Sequence, residues 1–302
     1  MKNYKPVLLL LIIVITSIFT ISAESISAPV DVSSIANGIT FNSFIRGLIG
    51  IASIIFIAFL FSRNRRAIDW KVVSIGLALE IILATLILYV PFVQSFFELI
   101  SCAFLKIISF TSAGSEFLFG SLLDVNSIGY IFLFQVIPII IFFSALTSVL
   151  YYLKIIQVVV KGVAWLLNKA LKISGAEGLI VAGNIFLGQT EAPMLIKRYL
   201  PNMNKSELLL VMSVGMATIS GSVLTAYISL LGGADAHTQL LFAKYLLMAS
   251  VMAAPGVIIL AKIVYPQTEP IEGDMKIEKS TDNNLLDAIS NGGTEGIKVA
   301  RS

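Results

Sequence analysis

The stretch Gly183-Asn184-Ile185-Phe186-Leu187-Gly188-Gln189-Thr190-Glu191-Ala192-Pro193 decides how the rest of this chain is read. It sets amides, a hydroxyl and a carboxylate in the middle of a strongly apolar sequence. Gly183, Gly188 and Pro193 punctuate it, so a continuous helix through it is not expected. Irregular backbone and an ionisable group at membrane depth are tolerated only where protein or a water-filled cavity surrounds them. The stretch therefore reads as part of a solute site inside a helical membrane protein.

Composition sets the class. The chain has 302 residues, 57% of them hydrophobic and 13% charged, with a mean hydropathy of +0.92. Soluble domains carry about 25% charged residues. The expected fold is an all-α polytopic membrane protein. The net charge of +3 falls in short loops between apolar runs. There it acts as an orientation signal, and no nucleic-acid partner is implied. The single cysteine, Cys102, excludes an intramolecular disulfide and a cysteine-based metal site. The single histidine, His237, reads as a loop residue between spans.

Working outward, the stretch sits in a segment of about 175–199 with basic residues on both sides. Lys154, Lys161, Lys169 and Lys172 precede it; Lys197, Arg198 and Lys205 follow. Positive charge marks the cytoplasmic side, so both ends lie inside and the segment is expected to be a re-entrant helical hairpin. Gly188 and Pro193 suit its turn, with Gln189, Thr190 and Glu191 at the tip.

Downstream, about 206–231 reads as a helix opened by Ser206 and Glu207 and rich in small residues. Its stretch 217–223 (Ala-Thr-Ile-Ser-Gly-Ser-Val) has two readings. Small residues serve close helix packing; a break there would instead offer hydroxyls and freed carbonyls to a sodium ion. Spacing alone does not separate them. A span over about 240–265 follows, with a kink at Pro255-Gly256, and Lys244 and Lys262 near its ends snorkelling. Residues 266–302 read as a cytoplasmic loop with a new helix starting near Gly296. A repeat-built transporter needs both halves, so the sequence is read as truncated.

Upstream, about 155–172 reads as a cytoplasmic interfacial helix anchored by Trp165. Residues 128–153 form a span kinked at Pro138. Residues 94–110 read as an amphipathic interfacial helix on the outer face, with an ordinary tilted span as the alternative, and a connector follows over 111–127. Residues 72–90 form a span that holds Glu80, either an ion relay or a carboxylate paired within the bundle. Residues 48–61 form a span followed by Arg63, Arg65 and Arg66. Residues 1–23 are a signal peptide or a first transmembrane helix. Residues 40–173 thus make a scaffold-type region and 174–265 a transport-type region.

Several runs resemble the concentrative nucleoside transporter family: FQVIPIIIFFSALTSVLYY, GAEGLIVAGNIFLGQTEAPMLIKRYL, SELLLVMSVGMATISGSVLTAYISLLG, ASVMAAPGVIILAKIVYPQTE and LLDAISNGGTEGIKVA. The likeness covers roughly residues 40–302. It implies a cation-coupled nucleoside symporter of the plasma (inner) membrane, a homotrimer in the lipid bilayer with an elevator-like transport domain. It implies that Gly188, Gln189, Thr190, Glu191 and Val223 face the nucleobase. It implies a sodium ion at Asn184, Leu187, Thr218, Ile219 and Ser222, several of them through backbone carbonyls. The ribose-binding groups are expected beyond Ser302. No cofactor is implied besides the coupling ion, sodium or a proton.

The residue chemistry fits that implication. A nucleobase edge presents donors and acceptors; Gln189 supplies both, Thr190 either, and ionised Glu191 only accepts. A Glu191 that exchanged protons with bulk would couple transport to a proton gradient instead. The competing readings are a non-transporting membrane subunit and a carrier of another small polar solute. No paired aspartates, Ser–His constellation or metal cluster suggests an enzyme.

Overall fold

The computed structural model describes residues 41–124, 129, 131–189, 192–197, 199–233, 235–270 and 284–301. The apolar run at 1–23 lies outside the described residues. Every regular element among them is helical. The chain divides into two compact units, Met1–Ile54 and Ile55–Ser302. In the first, residues 41–54 are helical, the leading part of α1 (Phe41–Leu60). This helix starts ahead of the apolar run expected at 48–61.

In the second unit α1 ends on its basic cluster. Arg65 donates from Nε to Phe59 O at 3.2 Å and from Nη2 to Leu60 O at 2.9 Å. That satisfies Leu60 O, a carbonyl the helix end leaves bare, and adds a second donor to Phe59 O, which also accepts the Ser62 amide at 3.2 Å. The Arg63 amide donates to Val264 O at 2.9 Å, and its guanidinium lies 5.2 Å from the Tyr265 ring centroid. The basic end of α1 therefore meets the end of the long helix α9 (Ala236–Val264).

Helix α2 (Trp70–Tyr89) begins where the Asp69 carboxylate accepts the Lys71 amide at 2.9 Å. It packs on α9 through a glycine: a Cβ on Gly76 would lie 2.5 Å from Ile259 Cγ1. Glu80 lies further along, half-buried, with Oε1 3.5 Å from where a Gly256 Cβ would be. Small residues at such crossings let backbones approach, which is how helices associate in lipid.

Three stretches differ from the sequence expectation. Helix α3 runs over Pro91–Phe119, followed by a 3-10 turn at Gly120–Leu123. It thus includes much of the expected connector, because Ser and Thr at 109, 111 and 115 sit on a helical path; Thr111 Oγ1 donates to Ile107 O at 2.9 Å. Helix α4 (Ile137–Tyr152) carries Pro138 in its first turn. The proline starts the helix after a short turn at Phe132–Gln135 rather than kinking it. The expected loop over 266–296 is partly helix: α10 spans Leu285–Arg301, and Asn284 Oδ1 accepts the Asp287 amide at 2.8 Å. Its polar sequence hid a glycine face. Cβ atoms on Gly292 and Gly296 would meet Ala145 Cα at 2.8 Å and Ile141 Cα at 2.7 Å, so α10 lies closely on α4.

Among the described residues, five helical stretches are long and apolar enough to cross a membrane, by length and composition: Trp70–Tyr89, Pro91–Leu123, Phe132–Tyr152, Lys205–Gly232 and Ala236–Val264. Helix α5 (Ile155–Leu171) has the expected bounds. Lys154 and Lys172 flank it in the left-handed region, at φ 65° and 51°, and reverse the chain at each end. Its face of Ile156, Val160, Ala164, Leu167 and Leu171 covers the next helix, while Trp165 stays exposed.

Candidate functional site

That next helix, α6 (Gly175–Asn184), is buried along its whole length. A capping box starts it: Ser174 Oγ accepts the Glu177 amide at 3.2 Å, and Glu177 Oε2 accepts the Ser174 amide at 2.9 Å. It ends at Asn184, earlier than the Gly188 turn expected from sequence, and the backbone is irregular to Gln189. A 3-10 segment follows at Ala192–Ile196, with Leu195 filling the space that a Cβ on Gly183 would need. The two limbs of the segment are therefore folded against one another.

Helix α7 (Lys205–Ala217) repeats the device. Asn204 Oδ1 accepts the Glu207 amide at 3.0 Å, and Glu207 Oε2 accepts the Asn204 amide at 3.0 Å. The chain then leaves the helix: Thr218 is extended, at φ −122° and ψ 159°. Helix α8 (Gly221–Gly232) restarts with Ser220 Oγ accepting the Val223 amide at 3.3 Å. Of the two sequence readings for 217–223, the break is what the backbone adopts.

The two breaks face each other. Asn184 Nδ2 donates to Val214 O at 2.7 Å and to Thr218 Oγ1. Thr218 Oγ1 lies 3.3 Å from both Asn184 O and Val214 O. A Cβ on Gly221 would collide with the Phe143 ring and lie 3.0 Å from Phe186 O. One on Gly215 would lie 3.0 Å from Gln189 Cβ. Glycines at these two places let the irregular strand approach α7 and α8.

The electrostatics follow from the helix ends. Carbonyl-bearing ends of α6 and α7 converge here, each partly negative, while α8 presents a partly positive start. Asn184 is 2% exposed, yet its Oδ1 has no hydrogen-bond partner among the described residues. A buried acceptor left unmade costs about 1–3 kcal/mol, so this oxygen suits a ligand. Among the described residues no group of three or more His, Cys, Asp and Glu could hold a metal ion. Among the described residues, the side-chain oxygens at the breaks are those of Asn184 and Thr218.

The structure brings Asn184 and Thr218 into contact and lays Gln189 beside Gly215. Gly188 and Val223 are half-buried, and Leu187 is buried. Ser222 is buried and its hydroxyl pairs with Ser220 at 3.2 Å, while Ile219 packs with the apolar cluster around Leu224 and Ile228. Thr190 and Glu191 lie outside the described residues.

Sequence reasoning missed one cluster. Lys262 does not snorkel: it is buried, with Nζ 2.5 Å from Glu177 Oε1, 3.2 Å from Ser206 Oγ and 3.0 Å from Gln267 Oε1. The signal was present in Ser174-x-x-Glu177 and Asn204-x-x-Glu207, two capping-box patterns that mark helix starts.

Residues 49–122 match the family model described as Na+ dependent nucleoside transporter N-terminus, 133–234 the one described as nucleoside recognition, and 245–302 the corresponding C-terminus. The chain belongs to the Na+-dependent, concentrative nucleoside transporter family. Nucleoside permease NupC of Helicobacter pylori is 39% identical over 260 residues, covering 84% of this chain and 60% of that one. Sodium/nucleoside cotransporter 1 of Rattus norvegicus is 42% identical over 254 residues, covering 83% and 37%. A structure of CNTnw in an inward-facing substrate-bound state superposes with a TM-score of 0.77 at 36% identity, covering 85% of this chain and 62% of that one. The chain thus spans less than two thirds of the length of these relatives. The family resemblance, the all-helical membrane fold and the membrane location agree with the sequence expectations.

Proposed function

We propose that this protein takes part in secondary active symport of nucleosides into the cell, driven by a sodium gradient. The nucleobase is held at the tip Gly188-Gln189-Thr190-Glu191, with Val223 in the first turn of α8 beside it. Sodium sits where the breaks meet, on oxygens of Asn184 and Thr218, with Leu187, Ile219 and Ser222 completing its surroundings. The observation that carries this reading is the buried, unpartnered Asn184 Oδ1 against the Asn184–Thr218 contact. Hard neutral oxygens suit a monovalent cation, and the relatives are named as a nucleoside permease and a sodium/nucleoside cotransporter. Alternating access is elevator-like and the assembly a homotrimer, both taken from the family resemblance.

One sodium per nucleoside suffices. A charge crossing 100 mV supplies about 2.3 kcal/mol, roughly fiftyfold accumulation at about 1.4 kcal/mol per tenfold. The test is radiolabelled uridine uptake in cells lacking their own nucleoside carriers, expressing this protein. Choline in place of sodium at fixed pH is expected to abolish uptake, and so is Gln189→Ala. Undiminished uptake in choline overturns the sodium assignment; undiminished uptake by Gln189→Ala overturns the base site.

A further inference from the structure

The Lys262 ammonium has three protons, and three acceptors from different parts of the fold take them: Glu177 near the start of α6, Ser206 at the start of α7, and Gln267 just past α9. Ser206 Oγ in turn donates to Tyr265 O at 2.7 Å, tying α7 to the end of α9 a second time. Glu177 is fully buried and its other oxygen accepts the Ser174 amide. Every group in this cluster is thus engaged.

The helices gathered here are the two whose other ends build the candidate site. Helix α6 has 10 residues and ends at Asn184; α7 has 13 and ends just before Thr218. At 1.5 Å per residue, the residues that hold the ammonium, Glu177 and Ser206, lie about 10 Å and about 18 Å along their helices from the Asn184–Thr218 contact. Stability alone does not explain a buried ion pair, because well-packed apolar residues of similar volume are often as stable. Directional bonds from one ammonium do what apolar packing does not: they fix the axial and rotational register of both helices at once.

We propose that Lys262 is a positioning residue. Its ammonium acts as a common anchor that holds α6 and α7 in the register which brings Asn184 against Thr218 and Gln189 against Gly215. It would thereby set the sodium affinity of a site it does not touch. The sodium part rests on the function proposed above; the register part does not.

The experiment reads register directly. Gln189→Cys and Gly215→Cys are introduced into full-length protein carrying Cys102→Ser, since Cys102 is exposed. Their Cβ positions are 3.0 Å apart, so a small shift reaches the roughly 3.5–4.5 Å of a disulfide. Adding Glu177→Leu with Lys262→Met is expected to lower the melting temperature only modestly, through the lost Ser174 cap bond, while the oxidative cross-linking rate falls about tenfold, a coupling within the usual range between linked sites. An unchanged rate overturns the proposal. Should that double variant not fold, Ser206→Ala with Gln267→Ala keeps the ion pair and removes the other two bonds; a slower cross-link supports the anchor, an unchanged one overturns it. In parallel, the Glu177→Leu/Lys262→Met pair in protein with native Gln189 and Gly215 is expected to raise the sodium concentration for half-maximal uridine uptake. No uptake by the unaltered protein would remove the transport reading and leave the cross-linking result to decide the anchor alone.

Discussion

Helices α6 and α7 are joined twice, and the two junctions are built on opposite terms. At their starts, Glu177, Lys262, Ser206 and Gln267 form a charged cluster in which each donor meets an acceptor. At their ends, Asn184 and Thr218 form a neutral cluster in which one buried oxygen is left over. Buried polar groups are ordinarily paired, so a complete network reads as structure and an incomplete one as room for a ligand. The charge differs too: the complete cluster balances an ammonium against a carboxylate, while the Asn184–Thr218 pair itself carries no formal charge.

The sharpest way to break this contrast is to remove half of the ion pair. Lys262→Met alone leaves Glu177 charged, fully buried and without its partner. Breaking such a pair costs about 3–5 kcal/mol. The expected result is a steep fall in melting temperature in detergent, larger than for Glu177→Leu with Lys262→Met together. Equal melting temperatures for the single and the double variant would show that the charges are not energetically coupled.

Asn184→Leu tests the other junction and should act differently. It removes the orphan oxygen and the 2.7 Å donor to Val214 O, which keeps only the longer Thr218 hydroxyl contact at 3.3 Å. The stability loss is expected at about 1 kcal/mol, the net worth of one hydrogen bond. Sodium-driven stabilisation, read as the melting-temperature rise between choline and sodium chloride, should vanish. A sodium-dependent rise that survives in Asn184→Leu places the cation elsewhere.

Much of the fold was legible before the structure. The apolar run at 72–90 located α2 (Trp70–Tyr89) to within two residues, and Lys154 and Lys172 bracketed α5. Gly183, Gly188 and Pro193 signalled that helix does not continue through the site, and it stops at Asn184. What stayed hidden depended on partners distant in sequence. Lys262 looked like any lysine near a helix end until Glu177 and Ser206 were packed beside it. Helix α10 looked like a loop because its polar residues and glycines together outnumber its apolar ones; its glycine face has meaning only against α4. The orphan oxygen of Asn184 is a property of packing, and no spacing in the sequence announces it.

Asp235 gives an exposed counterpart to Glu177, a carboxylate at a helix start with water around it. Its oxygens accept the Thr238 amide at 2.9 Å, the Thr238 hydroxyl at 2.5 Å and the His237 amide at 3.4 Å. The Thr238 hydroxyl first, then the Thr238 amide, hold its carboxyl below the usual carboxylate value. A group whose folded pKa is lowered adds stability above its unfolded value, about 3.9 for Asp, and that stability is lost as pH falls through the folded value. Asp235→Asn keeps a capping oxygen but cannot titrate. The expected effect is the smallest here, because the carboxylate is fully exposed and solvent screens it. Near neutral pH the two proteins should melt within a degree or so of each other. Below about pH 4 the gap should shift toward the variant, which has no cap to protonate. A parallel pair of melting curves across that range would mean that Asp235 holds α9 no more firmly charged than neutral, and that burial rather than position at a helix start is what makes Glu177 matter.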